Sequence, residues 1–182
     1  MIYTIFPPKS SGNVAYVPGQ VHKPNSEKRI IMHEHTPINA ADFPHLQAAL
    51  DALPEHGGAI YVPAGEYHVA EPLHKTLAER QHLFLYGDGR ATVLVNDNRE
   101  GQELLHITGV VGSWWPDLKI TVRDLTFVGS PSGGDALVMD YPNDALVDAC
   151  FFFGHGGTAV RLGPQGTNVT VRDCWMRDCK RV

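Results

Sequence analysis

Three stretches in the second half of the chain, "ITVRDLTFVG", "ALVDACFFFG" and "VTVRDCWMRD", superpose with Val122, Val147 and Val171 in one column, at steps of 25 and 24 residues. A second column repeats independently. "GGDALVM" and "GGTAVRL" align Gly134 with Gly157, a step of 23, and each runs into an apolar strand. A unit of this length, built of short strands and turns, cannot bury a hydrophobic face alone. Stacked, with each strand paired in parallel with its copy above and below, such units share one core. The period therefore predicts an all-β chain organised as a solenoid.

The repeat also assigns faces. Ile120 and Val122 point inward and Arg123 outward, but Leu125 and Phe127 point inward again, so the two-residue alternation of a strand breaks at Asp124. A change of parity needs a bend, and Asp tolerates the left-handed backbone that bends use. Asp173 shares that column, whereas Ala149 suits it poorly. The outward column reads Arg123, Asp148, Arg172, opposite charges on strands about 4.8 Å apart. Its first reading is a structural ladder that solvates the sheet, and its second a basic pair for an acidic sugar. The inward column Leu125, Cys150, Cys174 stacks two thiols at the strand spacing, wider than the roughly 3.5–4.5 Å between Cβ atoms that a disulfide prefers. They are expected to be reduced and buried; Cys179 has no assigned role. Phe152 falls in one inward column with Phe127 and Met176.

Ahead of the repeat, residues 1–36 have no sustained period and read as an arm. In "NAADFPHLQAALDALPEHGG", Leu46, Ala49, Leu50 and Leu53 make the stripe of an amphipathic helix, with Asp42 as expected N-cap, Pro44 in the first turn, and Pro54 and Gly57-Gly58 as the stop. "GGAIYVPAGEYHV" then alternates around Ile60, Val62 and Tyr67, and "HLFLYGDGRATVLV" adds two strands around Gly87–Gly89. The 182 residues suit one domain. A formal charge of −5 with no Lys/Arg cluster argues against nucleic acid or an anionic membrane as partner. Pro7 and Pro8 interrupt the first apolar run, so no signal peptide is expected, and no stretch approaches a membrane span.

The segment "ADFPHLQAALDALPEHGGAIYVPAGEYHVAEPL", through Gly57, Gly58, Pro63, Gly65 and Tyr67, resembles the entry segment of the pectate lyase superfamily, and "LFLYGDGRATVL" is similar to the strand and turn that open the first coil there. The resemblance covers residues 37–182. It implies a right-handed parallel β-helix of about four coils with an N-terminal capping α-helix, incomplete at its C-terminal end, and a polysaccharide lying across one exposed sheet. It further implies cleavage by lyase or glycoside hydrolase chemistry, no cofactor and an extracellular setting. The alternative is a non-catalytic β-helix module, as in phage tail or surface proteins, that binds glycan or builds a homotrimer through the uncapped end.

Three residues are candidates for catalysis. His155, in "FFFGHGG", resembles the histidine of the polygalacturonase G-H-G signature, which works with carboxylates because glycoside hydrolysis needs two acids about the bond. The superposed earlier coil puts Ser132 under His155 and Asp135 under Thr158, so an acid pair is missing. His155 then reads as a turn residue whose removal changes stability little. Arg161 and Asp135 are the candidates for β-elimination. Trp114 and Trp115 either stack on sugar rings or cover the core. His33 and His35 have a spacing that metal sites use, but no Asp or Cys set accompanies them, so no metal is assigned. Asn168, in "NVT", receives no role.

Overall fold

The computed structural model describes residues 36–98, 101–112 and 118–181. After β1 (Ile38–Asn39) and α1 (Leu46–Asp51), strands come in threes. The first three are β2 (Gly57–Val62), β3 (Gly65–Val69) and β4 (Leu73–Thr76); the next are β5 (His82–Gly87), β6 (Thr92–Asn96) and β7 (Leu105–Thr108). Then follow β8 (Ile120–Arg123), β9 (Thr126–Val128), β10 (Leu137–Asp140), β11 (Asn143–Asp148), β12 (Phe151–Phe153), β13 (Val160–Leu162), β14 (Thr167–Arg172) and β15 (Trp175–Arg177). β1 pairs with β2, and from β2 onward every third strand pairs, giving the sheets β1-β2-β5-β8-β11-β14, β3-β6-β9-β12-β15 and β4-β7-β10-β13. All these pairings are parallel. The described chain is thus all-β in three parallel sheets with one α-helix, an arrangement compatible with the expected solenoid.

The register matches the repeat. Ile60, Leu85, Val122, Val147 and Val171 stand in one column, at steps of 25, 37, 25 and 24 residues. The first four are buried, whereas Val171 is 41% exposed. Phe127 and Phe152 stack with ring centroids 4.8 Å apart, and Met176 continues their column. Apolar residues from three sheets fill one core, the main favourable term in folding.

Between the first and second sheets the expected bends are present. Asp124, Ala149 and Asp173 have φ of 52°, 51° and 53°, so the left-handed corner forms even where the sequence supplies alanine. The same geometry in three successive copies shows that the parity change, not the aspartate, sets the backbone. A Cβ in this region costs about 1–2 kcal/mol. After allowance for glycine's freer unfolded chain, Ala149→Gly is expected to raise stability by about 0.5–1 kcal/mol. A higher urea midpoint at unchanged slope is the measure.

Two sequence readings are corrected here. The helix is capped by His45, whose Nδ1 accepts from the Ala48 N–H at 3.1 Å, rather than by Asp42, which ends a 3-10 turn. Pro44 is the reason: it holds Phe43 extended (φ −116°, ψ 153°), so the α-helix cannot start before it. The apolar stripe itself is buried as expected. The charge ladder is also shorter than expected. Arg172 forks onto Asp148 at 3.0 and 3.1 Å, but the Arg123 Nε turns to Asp124 at 2.6 Å. Hydrogen bonds from Arg172 outweigh burial and hold the Asp148 carboxyl below its usual range.

All three cysteines are free, and Cys150 is fully buried. The Cys174 sulfur beside it, together with burial, pushes the Cys150 thiol up. Cys150 therefore stays protonated and inert.

Candidate functional site

The three catalytic candidates, His155 on the β12–β13 turn, Asp135 ahead of β10 and Arg161 in β13, separate into a buried ring and an ion pair. His155 is 1% exposed, and neither ring nitrogen has a hydrogen-bond partner in the protein. Its ring lies against Gly129, where a Cβ would overlap it. This corrects the expectation of Ser132 beneath it. The lower turn takes nine steps from Val128 to Leu137 and the upper only seven from Phe153 to Val160, so the copies fall out of step across the turn. The Gly156 N–H donates to the Ser130 carbonyl and the Gly157 N–H to that of Gly134. Burial lowers the pKa of His155, against the opposing pull of the Phe127 carbonyl and the Asp135 charge. A buried, neutral ring without access cannot serve as a base, and its removal would leave a cavity. The reading of His155 as a turn residue of little consequence for stability is replaced on that ground.

Asp135 and Arg161 do meet. The Arg161 Nε donates to Asp135 Oδ2 at 2.6 Å, and the Thr158 N–H donates to Oδ1 at 2.6 Å. Burial works to raise the Asp135 pKa, but these two donors outweigh it and hold the carboxyl below its usual range. An ionised carboxylate locked to a guanidinium is a poor general acid, and the guanidinium so held is a poor base. Asp135 lies under Thr158 as expected, and its role there is to tie two strands. Trp114, Trp115, His33 and His35 lie outside the described residues. Asn168 sits at φ 53° and its amide donates to Asp144 one strand below, which accounts for it structurally.

Two features of the outer surface were missed by sequence reasoning. The first is an aromatic row on the sheet containing β2 and β5. Leu83 and Leu85 point inward, so Phe84 and Tyr86 point outward. Phe84 stacks on Tyr86 at 4.8 Å, and Tyr86 meets Tyr61 of the paired strand at 5.3 Å. The Tyr61 hydroxyl donates to Asp88 at 2.6 Å, and this bond, with burial, raises its pKa. Beside the row runs an open groove of about 510 Å³, floored by Gly58, Ala59, Leu83 and Thr121 and flanked by His56 and Lys119. The signal was present in "HLFLYG", whose alternate residues are large and apolar on both parities. A second aromatic patch lies on the neighbouring sheet, where the Arg90 guanidinium sits 4.6 Å from the Phe151 ring and 5.7 Å from Trp175.

The second missed feature is polar and lies on the third sheet. His74 of β4 pairs in register with His106 of β7, and their ring centroids are 5.7 Å apart. His106 Nδ1 lies 3.2 Å from Glu103 Oε1, and its Nε2 lies 2.9 Å from Asp140 Oδ2. Donor atoms of His74, Glu103 and His106 all fall within 4.8 Å of one another, and among the described residues this is the one such group. Aligning "GQELLHIT" beneath "GGDALVMD" reveals it, but the step is 32 residues rather than 23, because the connection after β7 is longer.

Compared against protein-family models, curated proteins and solved structures, the chain matches none of them.

Proposed function

We propose that the chain is a carbohydrate-active protein that holds a polysaccharide across the outer face of the sheet containing β2, β5 and β8. In this reading the three sheets form a right-handed β-helix of about four coils, of the pectate lyase superfamily type. The carrying observation is the Tyr61–Tyr86–Phe84 row beside an open, largely apolar groove. Aromatic rings offer rigid apolar area to the flat faces of pyranose rings, and His56 and Lys119 at the groove supply polar groups. Lyase or hydrolase chemistry through Asp135, Arg161 or His155 is the weaker form of the reading, since the first two neutralise each other and the third is buried.

The test is affinity electrophoresis of the chain through gels containing pectin, alginate and related glycans, with unsaturated products and reducing ends followed in parallel. At least one glycan is expected to retard the chain, and Phe84→Ala with Tyr86→Ala to weaken that binding tenfold or more, about 1.4 kcal/mol. Both side chains point outward, so the double variant should keep its unfolding midpoint. Retardation unchanged by the double variant would sink the reading. Turnover lost on Arg161→Ala would replace it with a catalytic one.

A further inference from the structure

We infer that the outer face of the β4–β7–β10 sheet is a binding site for one first-row divalent transition ion, Zn²⁺ foremost, held by His74, Glu103 and His106. Parallel register sets the two imidazoles on one face at the strand spacing, and Glu103 reaches the same point from the approach to β7. The 3.2 Å between His106 Nδ1 and Glu103 Oε1 is close to the roughly 3.3 Å edge of a tetrahedron with bonds of about 2.0–2.1 Å. These two atoms already stand as two ligands of one ion would.

The surroundings of His106 argue the same way. Its Nδ1 faces the Glu103 carboxylate, and its Nε2 lies 2.9 Å from Asp140 Oδ2. Carboxylates that take the remote N–H of a ligating histidine are the usual outer partners of metal sites, fixing ring and tautomer. Asp140 is itself fixed, with Oδ1 buried against Gly163, where a Cβ would overlap it. On the other side, the Gln47 side chain of α1 clasps the His74 backbone, donating to its carbonyl at 2.8 Å and accepting from its N–H at 2.9 Å. The backbone of His74 is thus placed, and its exposed ring lies beside that of His106.

Donor chemistry selects the ion. Two imidazoles and one carboxylate suit Zn²⁺ and its neighbours, whereas Ca²⁺ and Mg²⁺ take oxygen ligands. Three protein ligands leave the fourth position to water or another small ligand. The competing arrangement is the metal-free one, with the His106 ring hydrogen-bonded directly between the two carboxylates.

The experiment titrates the chelator-treated full chain, carrying His33→Ala and His35→Ala, with Zn²⁺ alone by calorimetry and with Co²⁺ by its visible ligand-field bands. One equivalent of each is expected to bind. His74→Ala and Glu103→Gln should each weaken uptake tenfold or more with unfolding midpoints of the metal-free chain unchanged, and Asp140→Asn should weaken it about 10–100-fold. Excess Ca²⁺ should not displace the ion. Absence of saturable uptake, uptake indifferent to both His74→Ala and Glu103→Gln, or displacement by Ca²⁺ would each overturn the assignment, the first in favour of direct hydrogen bonding of His106 to the two carboxylates.

Discussion

Gly57→Ala is expected to lower stability by about 2–5 kcal/mol, the largest loss from any single methyl group considered. Two costs combine. Gly57 has φ +83°, where a Cβ costs about 1–2 kcal/mol. It also lies flat against β5, and the added carbon would fall on the backbone N and O of His82. Backbone in a paired strand cannot step aside as a flexible side chain can, so overpacking adds about 1–3 kcal/mol more. Gly89→Ala is the control. Its φ is +67°, yet nothing lies within 4 Å of the new carbon, so it should lose only the conformational part. Urea unfolding of both variants separates the two costs. Equal losses would show that close approach to β5 is not what demands glycine.

Acidification is the second large effect. His155 is buried with its pKa lowered, so at neutral pH both folded and unfolded chains carry the ring uncharged. As the pH falls below the unfolded value of about 6.5, the unfolded chain takes up a proton that the folded chain refuses. Stability is then lost by up to about 1.4 kcal/mol per pH unit, until the lowered folded pKa is passed. Asp148 and Asp135 act in the same direction but later. Their folded values are depressed, so their stabilisation is complete above the ordinary carboxylate range, near pH 4, and fades as the pH falls through the folded values. The unfolding midpoint should therefore fall in two stages. His155→Leu, which fills the site without titrating, should flatten the stage that begins below pH 6.5 and leave the lower one. A full upper stage in that variant would mean another group is responsible.

How much of this was visible beforehand depended on how evenly the copies are spaced. From Val122 onward the steps are near 24 residues, and the columns of Val122, Phe127 and Cys150 were readable because a buried column tolerates only apolar side chains. The Leu85–Val122 step of 37 conceals the same register. Glu103 and His106 therefore stood unaligned with Asp140, and their cluster was not seen. The cap residue was misread because Asp42 has the stronger capping chemistry, while Pro44, two residues later, forbids the helix it would cap. His155 was misread through a turn shortened by two residues, a change that composition does not announce. The aromatic row was legible in principle, since large apolar residues on both parities of "HLFLYG" require an outward-facing set.

The strand order has a mechanical consequence. Among the described residues, only β1 and β2 pair as neighbours in sequence; each ladder joins residues 22 to 37 positions apart, and every pairing is parallel. Tension applied between the two ends of this stack would load those hydrogen bonds lengthwise and a layer at a time, rather than all together in shear. Each layer that peels from an end would release roughly 80–130 Å of chain at about 3.4 Å per residue. The longest release would come where the Leu85–Val122 connection lies.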